Sequence, residues 1–402
     1  KVLSLHLAAA DPQLRLGMLL ALRRSGEAPS RELLPQFLAD ESPAVRRAAI
    51  QWVAEEQLQQ YADLLPAAAL KAPTSPDLLR ALLAAQYLLS GGDPGAEPYD
   101  ENRLLAVVAD QKQPAIFRQL ALRLLRADHP QLSTDLLGAL FRSDDAGLRL
   151  EAIRTLGLRN DSASRALLRT TAADTSLPDA FRAEAMLGLA AGELTAEDRA
   201  LLLATLNEPN LRRDALRSLR AAKGDPETIA RIEKWRQELP PKERRDGELA
   251  AQLLMNLNGS PSGDSPAINS LREAADARPT DEAAWRDWLA GEGDAEVGRR
   301  VFFHPQGPRC YACHTIDGRG GAIGPELSTI GRSRPAEHLI TSLLKPSQDI
   351  APRFTTWTIV TSDGRQLTGM IVDEDFSGRV TLADAQAKLT IVPQQTIDQR
   401  EP

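Results

Sequence analysis

A chain of 402 residues, 43% hydrophobic and 26% charged, reads as a globular protein of two or three domains, neither fibrous nor disordered. Its formal net charge of −7 argues against a nucleic-acid partner held through backbone phosphates and suits a basic docking partner. Only two cysteines occur, three positions apart, which excludes a disulfide framework, and no run of about 18 apolar residues offers a transmembrane helix.

The chain opens at Lys1 inside a helical pattern, Val2-Leu3-Ser4-Leu5, without a signal peptide, and is read as a fragment or processed product of a longer parent. Over residues 1–225 one segment recurs: a loop with Pro, an Arg a few places on, then an apolar helix. Its copies are Pro12 with Arg15, Pro43 with Arg46, Pro76 with Arg80, Pro114 with Arg118, Ala146 with Arg149, Pro178 with Arg182, and Pro209 with Arg212. The anchors lie 31 to 38 residues apart, a period that predicts a solenoid of stacked helix pairs. Small and aliphatic residues follow at helical spacing, as in Val45, Ala48, Ala49 and Val53, or Leu148, Ala152, Ile153 and Leu156, so each copy buries one face against its neighbour. Pro fits the first turn, where its missing N–H costs no hydrogen bond. The stretch Asp40-Glu41-Ser42-Pro43-Ala44-Val45-Arg46-Arg47-Ala48-Ala49 resembles the anchor of the HEAT-repeat family, which implies a scaffold whose concave surface binds protein. The anchor arginines serve either bonds between repeats and helix starts or a partner contact. His6 and His129 read as surface or packing residues.

Residues 226–292 form a helical connection. Helical patterning runs through Ile229–Trp235 and Leu249–Met255, with a break at Pro240-Pro241 and a linker at Asn258–Pro266. A short helix follows with Thr280 as its N-cap, and Trp285 and Trp288 lie on one of its faces, ready to pack against the next domain.

Residues 293–402 carry the chemistry. An N-capped helix over Gly293–Phe303 leads into Cys310-Tyr311-Ala312-Cys313-His314. Two thiols separated by two residues and followed at once by histidine are the c-type haem attachment signature: the sulfurs span two vinyl groups of one porphyrin edge, and the adjacent imidazole lies under the iron. A neutral imidazole is required, with its other ring N–H held by an acceptor. Phe302, Tyr311, Leu327, Ile330, Leu339 and Leu343 are candidates for an apolar wall, which raises the reduction potential. After a helix over Pro335–Leu344, strands are predicted at Phe354–Val360, Gln366–Val372, Arg379–Leu382 and Lys388–Val392, with a hairpin turn at Asp363-Gly364. The fold class is therefore mainly α, an α-solenoid plus a small haem domain that carries an antiparallel β insertion.

The loop Gly320–Leu327 with Gly331-Arg332 resembles the G-P-x-L…G-R stretch of class I cytochromes c. That resemblance places the Pro325 carbonyl as acceptor for His314, and makes Arg332 and Arg334 either propionate partners or plain surface charge. Residues 285–400 resemble the haem-binding domain of the Pirellula/Verrucomicrobium type, through Trp288-Leu289, Gly293-Asp294-Ala295, Gly298–Phe302, Cys310–His314, Gly321–Leu327, Leu344–Ser347 and Asp363–Arg365 with Gly369. The resemblance implies one covalent haem c that passes electrons, an exported address, and a redox partner or fused dehydrogenase as donor. It also implies a sixth iron ligand from a Ser-x-Met-Pro segment, which would lie past Pro402; within the chain Met370, His304 and His338 are substitutes. A gas or redox sensor with an open sixth site, and a zinc-bound or purely structural interaction protein, are the rival functions. No nucleophile and base pair is visible, so no catalysis is expected in these residues.

Overall fold

A computed structural model describes residues 11–93, 101–159, 161–240, 243–258, 279, 281–291, 293–321, 323–375, 378–384 and 388–402. His6 and Thr280, and the linker from Gly259 to Pro266, lie outside them. The described chain is mainly helical with a small sheet part, and it forms two compact units, Lys1–Arg159 and Asn160–Pro402.

In the first unit the anchored segments are helices: Pro12–Ser25, Pro43–Glu55, Pro76–Leu89, Ala115–Leu124 and Ala146–Leu156. Proline occupies the first turn of the first three, and the residue before it adopts extended backbone as N-cap. Each helix packs on the next, so the five form one layer, with Leu65–Leu70, Glu101–Ala109 and Thr134–Phe141 among the helices packed beside it. Val45, Ala49 and Val53 are fully buried, as are Leu148, Ala152 and Ile153, so the apolar stripe is the surface that joins the repeats.

Several anchor arginines bond across the repeats, whereas Arg80 pairs with Asp77 of its own helix at 3.2 Å. Arg15 grips Asp40 with two hydrogen bonds, of 2.7 and 2.9 Å. Arg46 is fully buried, and its guanidinium donates to five main-chain oxygens: Ala68, Asp40, Glu41, Lys71 and Pro73, at 2.6 to 2.9 Å. In the second unit Arg182 donates to Ala172 O and to Glu208, and Arg212 bonds Glu243. His129 is buried, and its Nδ1 accepts from the Gln131 N–H at 3.3 Å.

The second unit repeats the stacking: Ser162–Ala173 on Asp179–Leu189, then Arg212–Ser218, then Arg244–Asn258 with Pro226–Gln237 beside it. Within this unit the stacking thus runs past residue 225, through the segment read from sequence as a connection. Helix Glu282–Trp288 is capped by Asp281, whose carboxylate accepts from the Ala284 N–H at 2.8 Å. It packs on helix Ala336–Leu344, where Glu282 accepts from Thr341 Oγ1 at 2.7 Å and pairs with Lys345 at 2.5 Å. Trp285 and Trp288 meet edge to face at 5.1 Å, and Trp288 stays 48% exposed.

The strands follow: β1 Thr315–Ile316 and β2 Arg319–Gly320 as a small hairpin, then β3 Thr356–Thr361, β4 Gln366–Glu374, β5 Val380–Ala383, β6 Leu389–Val392 and β7 Ile397–Glu401. The last five form one antiparallel sheet in the order β6-β5-β4-β3-β7. Gly364, at φ +81°, closes the β3–β4 turn, its N–H donating to Thr361 O at 2.7 Å. Ile359, Val380, Leu382 and Val392 form the sheet's own core. The sequence pattern misses β7, because Asp398, Gln399, Arg400 and Glu401 show no apolar alternation; the strand is held by backbone pairing to β3 and by Arg400 over the Trp357 ring at 4.7 Å. Phe354, read as the start of β3, belongs to the short 3-10 turn Pro352–Phe354 that precedes it.

Candidate functional site

The helix Ala295–Phe302 starts at Asp294, whose carboxylate caps the Val297 N–H at 2.9 Å. Its two consecutive arginines fasten it to the repeats. Arg299 Nη1 donates to the buried Glu184 at 2.8 Å, and Arg300 Nε donates to the buried Asp214 at 2.9 Å. Phe303 carries the contact onward: Arg299 lies 4.6 Å over its ring, and Tyr311 stacks on it at 6.0 Å.

Cys310–Ala312 is one 3-10 turn, entered through Arg309 in left-handed backbone at φ 57°. The N–H groups of Cys313 and His314 both donate to Cys310 O, at 3.3 and 3.0 Å, which puts the two thiols and the imidazole on one tight turn. Both cysteines are free thiols, half-buried. The following hairpin folds the chain back on this turn. Gly321 N donates to Tyr311 O at 2.8 Å, Gly324 N to Cys313 O at 2.7 Å, and Leu327 N to Thr315 O at 2.9 Å. Thr315 Oγ1 adds a bond to Gly321 O at 2.8 Å.

That return loop holds the imidazole. Pro325 O lies 2.8 Å from His314 Nδ1. A carbonyl only accepts, so Nδ1 carries the hydrogen and Nε2 presents its lone pair, the state in which histidine ligates a metal. Gly324 lies flat against the ring: a β-carbon there would sit 2.7 Å from His314 Cε1 and 2.8 Å from Nδ1. Gly320, at φ 114°, passes so close to the His314 carbonyl that a β-carbon would fall 2.1 Å from its oxygen. Pro325 is foreseeable from the loop's sequence, whereas the contacts of these two glycines are marked there only by the loop's glycine density.

The apolar wall residues Phe302, Tyr311, Leu327, Ile330 and Leu339 are all half-buried, and Leu343 is 82% exposed. Among the described residues no hydrophobic side chain between Leu254 and Ile359 is fully buried. Arg332 and Arg334 are exposed, Arg332 within the short helix Ile330–Ser333. Met370 is half-buried in β4, paired with Thr356 and Ala383, on the sheet face opposite Leu367 and Ile371. His338 is half-buried on helix Ala336–Leu344. His304 is 3% exposed, and its Nδ1 accepts the Gln306 N–H at 3.1 Å. Burial, then the charges of Arg220 and Arg217, pushes its pKa down to about 4.

No three His, Cys, Asp or Glu side chains gather as a metal cluster among the described residues. Tetrahedral zinc needs four ligands converging within about 2.0–2.3 Å. Thioether attachment has no such demand, since the sulfurs bond to the rim of the porphyrin and only the imidazole goes to its centre.

Fold and site together define a helical-repeat chain that carries a Cys-x-x-Cys-His turn backed by a proline carbonyl and ends in a small antiparallel sheet. No family model matches the chain, and no curated protein matches it. Among solved structures it is similar to human deoxyhypusine hydroxylase in complex with glycerol, at 20% identity over 54% of this chain and 82% of that one, with a TM-score of 0.27. A likeness that weak carries no argument for a shared site or activity.

Proposed function

We propose that this chain carries one haem c, tethered through Cys310 and Cys313 and ligated by His314, and that it passes electrons to or from a protein partner. The observation that carries the reading is the His314–Pro325 contact of 2.8 Å on a turn that also holds two free thiols. Each thiol adds across one vinyl double bond, sulfur to one carbon and hydrogen to its neighbour, with no net oxidation. Pro325 fixes the tautomer that directs Nε2 at a metal and steadies the ring. Gly324 leaves room for the ring to lie flat against its own backbone.

Support comes also from the apolar residues. Phe302, Tyr311, Leu327, Ile330 and Leu339 have only part of their surface covered by protein, as suits side chains flanking a large apolar group. Bound there, haem iron supplies one-electron redox chemistry. The helical repeats act as scaffold and partner surface, and attachment of haem to reduced thiols suits an exported address and a partner or fused dehydrogenase as donor. The sixth ligand is left to Met370, to another group, or to none.

The test is to produce the chain with a haem-attachment system and record its absorption spectrum. Haem that survives a denaturing gel, with a sharp α-band unmoved by carbon monoxide, is expected. A carbon monoxide shift would instead favour the sensor reading, and colourless protein with the mass of bare polypeptide would end the proposal.

A further inference from the structure

The segment leading into the motif meets the last repeats through charge, and around Asp214 that charge does not balance. Asp214 is the carboxylate bonded to Arg300, at 2.9 and 3.3 Å, and it lies 3.5 Å from Arg217. Among the described residues Arg220 reaches only a main-chain oxygen, Gln306 O at 3.3 Å. The neighbouring Arg213 and Arg299 have their own carboxylates, Asp246 at 2.5 Å and Glu184 at 2.8 Å. Among the described residues Arg220 therefore has no carboxylate partner, and Arg217 shares Asp214 with Arg300.

Two buried nitrogens in the same neighbourhood have no hydrogen-bond partner among the described residues: Arg220 Nε and His304 Nε2. Both are donors. Since His304 Nδ1 accepts from Gln306 N–H, the imidazole hydrogen sits on Nε2. His304 is close enough to Arg217 and Arg220 for their charges to act on it. A buried donor without an acceptor costs about 1–3 kcal/mol, and uncompensated buried charge costs more.

We propose that Arg217, Arg220 and His304 form a binding site for a small oxyanion of the phosphate class, where the repeats meet the segment that leads to Cys310. Water would accept from either nitrogen but would leave the guanidinium charge unmatched. A phosphate accepts from Arg220 Nε and His304 Nε2 together and supplies the missing negative charge. Arg220 and Arg217 are half-buried while the two unpartnered nitrogens are covered, so an anion reaches them as the arginine side chains shift. The site does not depend on the haem reading.

The experiment titrates inorganic phosphate into the full chain at constant ionic strength, with sodium chloride as control, following labelled-phosphate equilibrium dialysis and the thermal midpoint. Stoichiometric binding and a midpoint that rises with phosphate but not with chloride are expected. Arg220→Gln should weaken binding at least about tenfold while leaving the midpoint without phosphate unchanged or higher, because it removes an unmatched charge. Arg220→Lys, which keeps the charge but loses the Nε donor, should fall between the two. The same titration on a Cys310→Ala, Cys313→Ala chain identifies the source. Equal affinity points to a free anion, whereas phosphate binding there but not to haem-loaded protein points to a porphyrin carboxylate in the same place. Absent or chloride-like binding in both chains, or an Arg220→Gln chain that binds as tightly as its parent, overturns the proposal.

Discussion

Arg300 Nε lies 2.9 Å from Asp214 Oδ1, and this pair joins the helix before the Cys310–His314 turn to a helix of the repeats 86 residues earlier. Both side chains are 7% exposed. A buried ion pair gains little over an apolar pair of the same shape, but breaking it leaves one charge stranded. Asp214→Asn should cost about 3–5 kcal/mol in urea unfolding, while the triple change Asp214→Leu, Arg300→Met and Arg217→Met, which strands neither guanidinium, should cost much less. Equal losses in the two would show that the pair is not what joins these helices.

Arg46 gives the repeats a second such test. Its five donors satisfy five main-chain oxygens, which come from both sides of one repeat junction. Burial pulls its pKa below the ordinary guanidinium value, yet the group stays charged at neutral pH. A lysine has three donors on a single nitrogen and cannot reach all five. Arg46→Lys should destabilise the chain by about 3 kcal/mol, since each orphaned buried carbonyl costs about 1–3 kcal/mol. The midpoint of chemical unfolding measures it; a loss under about 1 kcal/mol would mean water replaces the guanidinium.

Gly324 should be the most sensitive position around the imidazole. A methyl group there would meet His314 Cε1 at 2.7 Å, so the ring must leave the Pro325 oxygen. Gly324→Ala is expected to lower haem content per polypeptide and broaden the α-band, with far-UV circular dichroism unchanged. Full haem content with an unaltered spectrum would show that the ring is not held in this way.

Cys310→Ala together with Cys313→Ala should abolish haem that survives a denaturing gel. The helices should remain, because neither thiol takes part in the repeat core, and their circular dichroism should match the parent. Haem retained on the gel would contradict attachment through these sulfurs.

His304 predicts a pH dependence. Its folded pKa of about 4 lies below the ordinary 6.5, chiefly from burial and then from Arg220 and Arg217. The unfolded chain therefore takes up a proton that the folded chain refuses. The stability from burying the neutral ring is complete above pH 6.5 and is lost as pH falls toward about 4. The gap is worth about 3 kcal/mol. Across that range His304→Gln should lose less stability than the parent, as read from urea unfolding at pH 7, 5 and 4; parallel decline in both would remove His304 as the cause.

Local features were legible in the sequence because they depend on neighbours along the chain. Proline in the first turn, the aliphatic stripe of Leu148, Ala152 and Ile153, the Asp363-Gly364 turn and the Cys310–His314 spacing each follow from a few adjacent residues. The sequence alone also named Pro325 as acceptor for His314, through a resemblance in the loop. Three other matters belong to the tertiary structure: that the stacking runs on through Arg244–Asn258, that charged β7 joins the sheet, and that Arg300 and His304 are buried, with Arg299 half-buried, against the last repeats. Their partners lie far away in sequence or on another strand, and neither periodicity nor composition records which distant groups a charge or a backbone edge will meet.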